Sequence, residues 1–368
     1  MSESIYQHNK LEKIRVSTKM EKYDEILLFR IGIIISMFFL LIIVFFTTDI
    51  RADVTELFKK DDKKTENTSG DILIENTIIS GEISVITQGR LVITLPGGVK
   101  ESNTAIQKDL INRRIVISFP KGAGEYDFSN VVNNTQVISN LNHSVENNVM
   151  VKLEIYLNGI YDCVACFDNG QLFMDFFNPA DAKVPVIVID AGHGGADVGA
   201  VENGAYEKNI DLDICLKLKQ LLDNENIIVY YTRLDDSFPS VEERVDFVNE
   251  IMPDLFISIH SNWYKNSGIS GTSVLYNIKD ESQYSSLWLG NIICEELVRS
   301  CGTVNRGVVG GNDIHIVRNS KVPVALIEVG FMSNEGDFKL LTGGEGQLKI
   351  AQGIYNGIIR SLTELGKY

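Results

Sequence analysis

Two histidines and two carboxylates stand where metal-assisted chemistry would need them. His193 lies in the glycine-rich turn Asp190-Ala191-Gly192-His193-Gly194-Gly195, directly after the apolar run Val186 to Ile189. Glu207 opens an amphipathic stretch with Ile210, Ile214, Leu218 and Leu221 on one face. His260 follows Leu255 to Ile259, and Glu328 follows Val324 to Ile327. Two neutral imidazoles and one carboxylate form the protein half of an open zinc site, leaving a fourth position for water. The other carboxylate would act on that water.

The elements that must position them follow from the pattern. Short apolar runs of this kind suit strands buried on both faces of a parallel sheet. Open α/β sheets bind ligands at the carboxyl ends of such strands. If the three strands are parallel neighbours, His193, Glu207, His260 and Glu328 meet on one rim. A single histidine after a strand is more often structural than a ligand, but two together with Glu207 reverse that balance. A carboxylate placed after four buried apolar residues, as Glu328 is, is costly unless something nearby uses it. Asp190 either orients His193 or is an ordinary turn aspartate, and Asp197 is equally ambiguous.

The chain has 368 residues, 34 basic and 49 acidic, for a formal charge of -15. Nucleic acid is not expected as a partner on that balance, since such binders usually present a basic face. Five cysteines form no disulfide framework. Cys163 and Cys166 make one CxxC without a second pair, so no zinc ribbon is expected; a redox pair is the alternative, against which stands that in a strand they point to opposite faces. Cys215, Cys294 and Cys301 read as small core residues.

Taken in order, residues 1–30 are polar and mixed in charge, the expected cytoplasmic tail. Residues 31–48 carry no charge and are rich in Ile, Leu, Phe and Val, long enough for an uncleaved transmembrane anchor. Basic residues flank both ends and lean towards an inside amino terminus. Residues 49–71 read as a solvated linker. From 72 to 178 the pattern is β: Arg90-Leu-Val-Ile-Thr-Leu-Pro96-Gly97 recurs as Arg114-Ile-Val-Ile-Ser-Phe-Pro120-Lys-Gly122, which suggests two equivalent hairpin edges of a sandwich. His143 falls in a polar loop as a surface residue. Asn178 to Lys183 is the boundary.

Beyond it, strands and helices alternate, so residues 185–368 should form a three-layer α/β domain with a mostly parallel sheet. Ser240-Val241-Glu242-Glu243 is a capping box. Asn334 caps the following helix. Ile314 to Arg318 reads as a strand that places His315 near the site, not as a ligand. The final helix, about 347–362, turns Leu348, Ile350, Ala351, Ile354, Ile358 and Leu362 towards the sheet.

The motifs IDAGHGGADVGA, NGAYEKNIDLDI, FISIHSN and ALIEVGFMSN, with Ser240 to Arg244 and Arg306-Gly307, resemble the zinc-dependent N-acetylmuramoyl-L-alanine amidases of bacterial cell-wall turnover (amidase type 3). The likeness spans Pro185 to Tyr368. It implies His193, Glu207 and His260 as ligands of one zinc ion and Glu328 as the catalytic carboxylate. The domain ahead is similar, more loosely, to the β-sandwich AMIN modules that localise such enzymes, with envelope or division proteins as partners. The expected reaction is hydrolysis of the amide between N-acetylmuramic acid and L-alanine in peptidoglycan, outside the membrane. Zinc lowers the pKa of a bound water from about 15.7 to about 7 and polarises the carbonyl, while the carboxylate serves as base and then acid. Asn262 is expected to line the cleft. Arg306 pairs either with a carboxylate of the stem peptide or with a surface acid. A zinc peptidase cutting within the stem, or a silent wall-binding scaffold, are the competing readings. Some members of the family insert an occluding helix after the second histidine. Here only Asn262 to Ser270 intervene, so no plug of that type is expected.

Overall fold

Alternating burial builds the first module. The computed structural model describes residues 77–80, 83–122 and 131–368. The expected tail, the anchor at 31–48 and the linker at 49–71 lie outside these residues. Nine strands form two antiparallel sheets: β1 (Thr77–Ser80), β2 (Ile83–Thr94), β3 (Ala105–Asp109), β4 (Arg114–Pro120), β5 (Val131–Thr135), β6 (Ile138–Glu146), β7 (Met150–Leu157), β8 (Asp162–Asp168) and β9 (Gln171–Phe177). One sheet runs β1-β2-β9-β8, with β5 also on β2, and the other runs β3-β4-β7-β6. Leu91 and Ile93 of β2 and Ile115, Ile117 and Phe119 of β4 are all fully buried in one apolar cluster.

The repeated unit corrects one expectation. Its two copies lie in β2 and β4, and each is an interior strand paired on both sides, not a hairpin edge. Pro96 and Pro120 are compatible with interior strands because they fall just after β2 and at the last residue of β4, where a missing N–H does least harm to the ladder. His143 is exposed as expected, but on strand β6 and not in a loop.

The boundary at Asn178 is a single 3-10 turn, Pro179–Asp181, capped by the Asn178 side chain. No loose tether follows. The apolar cluster of the sandwich continues into the next module through Val186, Val188, Tyr230, Phe247, Ile251 and Phe256. Polar ties reinforce it: Arg113 pairs with Glu250 at 2.7 Å, and Glu250 also accepts from the Ile160 N–H at 2.6 Å. Asp162 accepts from Lys108 and from Tyr230 of the second module. The sandwich is therefore a fixed wall of the second module.

That module contains β10 (Val186–Ala191), the short pair β11 (Val201–Glu202) and β12 (Ala205–Tyr206), α1 (Glu207–Leu222), β13 (Ile228–Tyr231), α2 (Val241–Ile251), β14 (Leu255–Asn262), β15 (Thr272–Tyr276), α3 (Ser286–Cys301), β16 (Asn305–Gly310), α4 (His315–Asn319), β17 (Val324–Phe331), α5 (Glu335–Thr342) and α6 (Gly344–Glu364). The sheet order is β13-β10-β14-β17-β15-β16. Neighbours are parallel except β15 and β17, so the sheet is mixed. Helices α1, α3 and α6 bury Ile214, Ile293 and Ile354 on one face. Helices α2 and α4 share the other face with the sandwich.

The caps are as read: Ser240 and Glu243 form a reciprocal capping box, and Asn334 accepts from two backbone N–H groups of α5. Two expectations fail. His315 begins a short helix, because the chain turns at Gly311 and the Arg318 N–H then bonds the Ile314 carbonyl at 2.9 Å. Leu348 is half exposed, on the outer side of α6, while Ile350, Ala351, Ile354, Ile358 and Leu362 are fully buried. Among the described residues no helix is long and apolar enough to cross a membrane.

Candidate metal centre

Strands β10, β14 and β17 are adjacent and parallel, and His260 is the direct register partner of Glu328. The carboxyl ends of all three strands therefore form one rim. The Gly192 N–H bonds the Ile259 carbonyl at 3.0 Å, carrying the β10 ladder one residue past the strand. A Cβ on Gly192 would fall 2.4 Å from the His260 ring, so only glycine lets the loop pass the imidazole. Gly199 does the same for Glu207 and His193, at 2.6 and 2.8 Å, in a left-handed conformation with φ +65°.

Three ligand atoms converge. His193 Nε2 lies 3.1 Å, and His260 Nδ1 3.3 Å, from the same oxygen, Oε1 of Glu207. The two rings stand 5.0 Å apart, nearly perpendicular. One ligand atom from each of His193, Glu207, Asp211 and His260 lies within 4.8 Å of the others. His260 Nε2 and Glu328 Oε2 are buried without a hydrogen-bond partner. Two imidazoles, a shared carboxylate and orphaned polar atoms are what a divalent cation with mixed N and O ligands requires.

Burial alone would push the Glu207 carboxyl up, but hydrogen bonds and charge from His193 and His260 outweigh it and hold it far below the usual range. Burial pulls His193 down, yet Glu207 and Asp197 raise it to about 9. Glu328 goes the other way. Desolvation, aided by Glu207 and opposed by the histidines, pushes it up to about 7. The two carboxyls on one rim are thus shifted in opposite directions, Glu207 by its histidine partners and Glu328 by desolvation.

The partner that orients His193 is Asp197, whose Oδ2 lies 2.9 Å from Nδ1. Fixing the far nitrogen of a ligand imidazole sets its tautomer and direction. Asp190 does not orient His193, nor is it an ordinary turn residue. Its side chain projects from β10 into the interior, fully buried, and accepts from Arg244 at 2.5 Å and from Thr232 and Ser258 at 2.6 Å. Burial raises its pKa, but Arg244 and the two hydroxyls more than offset this and lower it. Arg244 also donates to the carbonyls of Ala191 at 2.8 Å and His193 at 2.6 Å. Arg233 grips those of Ala191 and Gly192. The loop bearing the first histidine is held from beneath by two arginines.

Asp211 is the residue that the strand-end pattern missed. It sits one turn along α1 from Glu207, fully buried. Its Oδ1 accepts from Ser261 Oγ at 2.9 Å and its Oδ2 has no partner. Ser261 N–H in turn donates to Glu207 Oε1 at 3.2 Å. Burial, with Glu207 and Glu328 nearby, raises the Asp211 carboxyl well above its ordinary value. The available signal was the four-residue spacing from Glu207 on one helix face.

The remaining expected residues divide. Asn262 ends β14, with its side chain accepting from the Trp263 N–H at 2.7 Å. Arg306 is the second residue of β16, which runs antiparallel to β17, so it reaches the same rim. Its guanidinium lies 5.5 Å over the Phe331 ring and donates to the Ser270 carbonyl. Among the described residues it makes none of the ion pairs, so the surface salt bridge is not formed. The segment between β14 and β15 carries no helix. All five cysteines are free; Cys163 is buried and Cys166 exposed, on opposite faces of β8. A cavity of about 860 Å³ lies between the modules against Lys108, Asp162, Tyr230 and Phe247, and none of the four site residues lines it.

Residues 187–360 match the family model described as N-acetylmuramoyl-L-alanine amidase. An uncharacterised protein of Bacillus subtilis, YqiI, is 39% identical over 183 residues, 49% of this chain and 85% of that protein. The germination-specific N-acetylmuramoyl-L-alanine amidase of B. subtilis is 31% identical over 214 residues, 54% of this chain and 88% of that one. The chain belongs to the N-acetylmuramoyl-L-alanine amidase family. Among solved structures, the catalytic domain of CwlV from Bacillus (Paenibacillus) polymyxa aligns with this amidase at 34% identity and a TM-score of 0.46, covering 49% of this chain and 99% of that domain.

Proposed function

We propose that this amidase hydrolyses the amide joining N-acetylmuramic acid to L-alanine in peptidoglycan, with one zinc ion held by His193, Glu207 and His260. The observation that carries this reading is the convergence of His193 Nε2 and His260 Nδ1 on one Glu207 oxygen, with Glu328 directly paired in register beside them. Zinc at that position would acidify water and polarise the scissile carbonyl. The chain's own residues do the rest. Glu328, with Oε2 unpartnered, takes a proton on the reactant side and returns it to the departing amine. Asp197 keeps the His193 ring aimed, and the Arg233 and Arg244 pair fixes the loop beneath it. Arg306 brings an unpaired positive charge to the rim, suited to a carboxylate of the stem peptide.

The uncharged span at 31–48 supports a single-pass anchor with the catalytic module outside the membrane, where the substrate lies. The sandwich would then set the height of the site over the wall, since its core and that of the catalytic module are continuous.

Digestion of purified peptidoglycan tests the reaction. Mass spectrometry should find new free amino groups on L-alanine and lactyl carboxylates on the glycan. New amino termini further along the stem would indicate a peptidase instead. No new termini from a zinc-loaded protein would indicate a scaffold.

A further inference from the structure

We propose that Trp263 is a stacking platform for a sugar ring of the glycan strand, an inference that rests on the amidase reading and adds a substrate subsite to it. Trp263 stands three residues beyond His260, just past the end of β14, and is 47% exposed. About half of its surface is open to solvent directly beyond the strand that carries His260. Its orientation is fixed at two points. The indole N–H donates to Glu202 Oε2 at 3.0 Å, and its backbone N–H donates to Asn262 Oδ1 at 2.7 Å.

Glu202 ties this ring to the chemistry. It belongs to the small β11–β12 pair, which leads directly into Glu207 at the start of α1. The Ala200 N–H, two residues before Glu202, donates to Glu207 Oε2 at 2.7 Å. The indole thus bridges the segment carrying one metal ligand and the segment carrying another. With its polar edge satisfied by Glu202, what remains for a ligand is an apolar face.

Charge decides which part of the substrate that face takes. The stem peptide is acidic, and the carboxylate of Glu202 beside the indole disfavours it. A pyranose ring is neutral, offers axial C–H groups to an aromatic face and hydroxyls to a carboxylate. The stem is directed instead towards Arg306, which reaches the rim from β16, two strands beyond β17 in the sheet order. Sugar on the Trp263 side and peptide on the Arg306 side place the amide between them, at the rim of β14 and β17.

Only two tryptophans are present, so Trp263 can be read by its own emission. In a Trp288→Phe background, titration with peptide-free glycan strands should shift and quench that emission, whereas free stem peptide should not. Trp263→Ala should raise KM for polymeric peptidoglycan about tenfold, with kcat within about twofold and zinc content unchanged. Trp263→Phe should restore most of the affinity, since a phenyl ring keeps an apolar face for the sugar. A response to stem peptide and not to glycan, an unchanged KM, or a fall in kcat together with lost zinc would each overturn the platform. Because glycan titration requires no turnover, failure of the amidase reading would appear separately, in the digestion products.

Discussion

Glu328→Gln should leave zinc content unchanged and lower turnover by about a hundred- to ten-thousand-fold, the range for losing one acid–base group. The substitution keeps the shape of the side chain and removes only its capacity to carry a proton. Glu328 is not among the atoms that converge on Glu207 Oε1, so the ligand set stays intact. Its Oε2 makes no hydrogen bond within the chain, so glutamine breaks no internal contact at that atom. Equilibrium dialysis against zinc, followed by rate measurement on the same sample, checks both halves. Loss of metal with loss of rate would instead make Glu328 a ligand.

Arg244→Met should be the most destabilising single change near the site. It removes the charged partner of Asp190, whose carboxylate is fully buried. Breaking a buried pair from one side costs about 3–5 kcal/mol, because the remaining charge is left without compensation. It also frees the carbonyls of Ala191 and His193, so zinc affinity should fall as well. Thermal and urea unfolding measure the first effect and metal titration the second. The companion Asp190→Asn/Arg244→Met variant should recover much of the lost stability, since no unpaired charge remains. The lowered pKa of Asp190 gives this pair a pH signature. Its contribution is present above the unfolded carboxylate pKa of about 3.9 and is lost as pH falls through the still lower folded value. Wild type should therefore lose stability in strong acid more steeply than the double variant.

The contrast between these residues shows what could be read from the chain alone. Glu328 directly follows an apolar run, His260 follows one broken only by Ser258, and His193 lies in the glycine turn just beyond a third; a strand buried on both faces leaves few other meanings for a polar residue at its end. Parallel pairing of β10, β14 and β17 then brought them together as expected. Asp211 was hidden because it lies inside a helix whose face was read only for its aliphatic residues. Asp197 reaches His193 through a loop in which His193 itself has φ +59°, a conformation that spacing does not reveal. Asp190 and Arg244 are 54 positions apart, and only the fold shows them as a pair. The repeated unit was recognised but misplaced: alternation marks a strand with one buried face and says little about whether it has one neighbour or two. His315 was misread for a related reason, since a short apolar run of this length fits a strand and one helical turn equally well.

The central claim is that His193, Glu207 and His260 hold a common zinc ion, and X-ray absorption at the zinc edge of the purified full-length protein tests it most directly. The account predicts one zinc per chain with two imidazole nitrogens at about 2.0–2.1 Å, oxygen in the remaining positions and no sulfur. A sulfur shell at about 2.3 Å, or full zinc retention after replacement of both histidines, would contradict it.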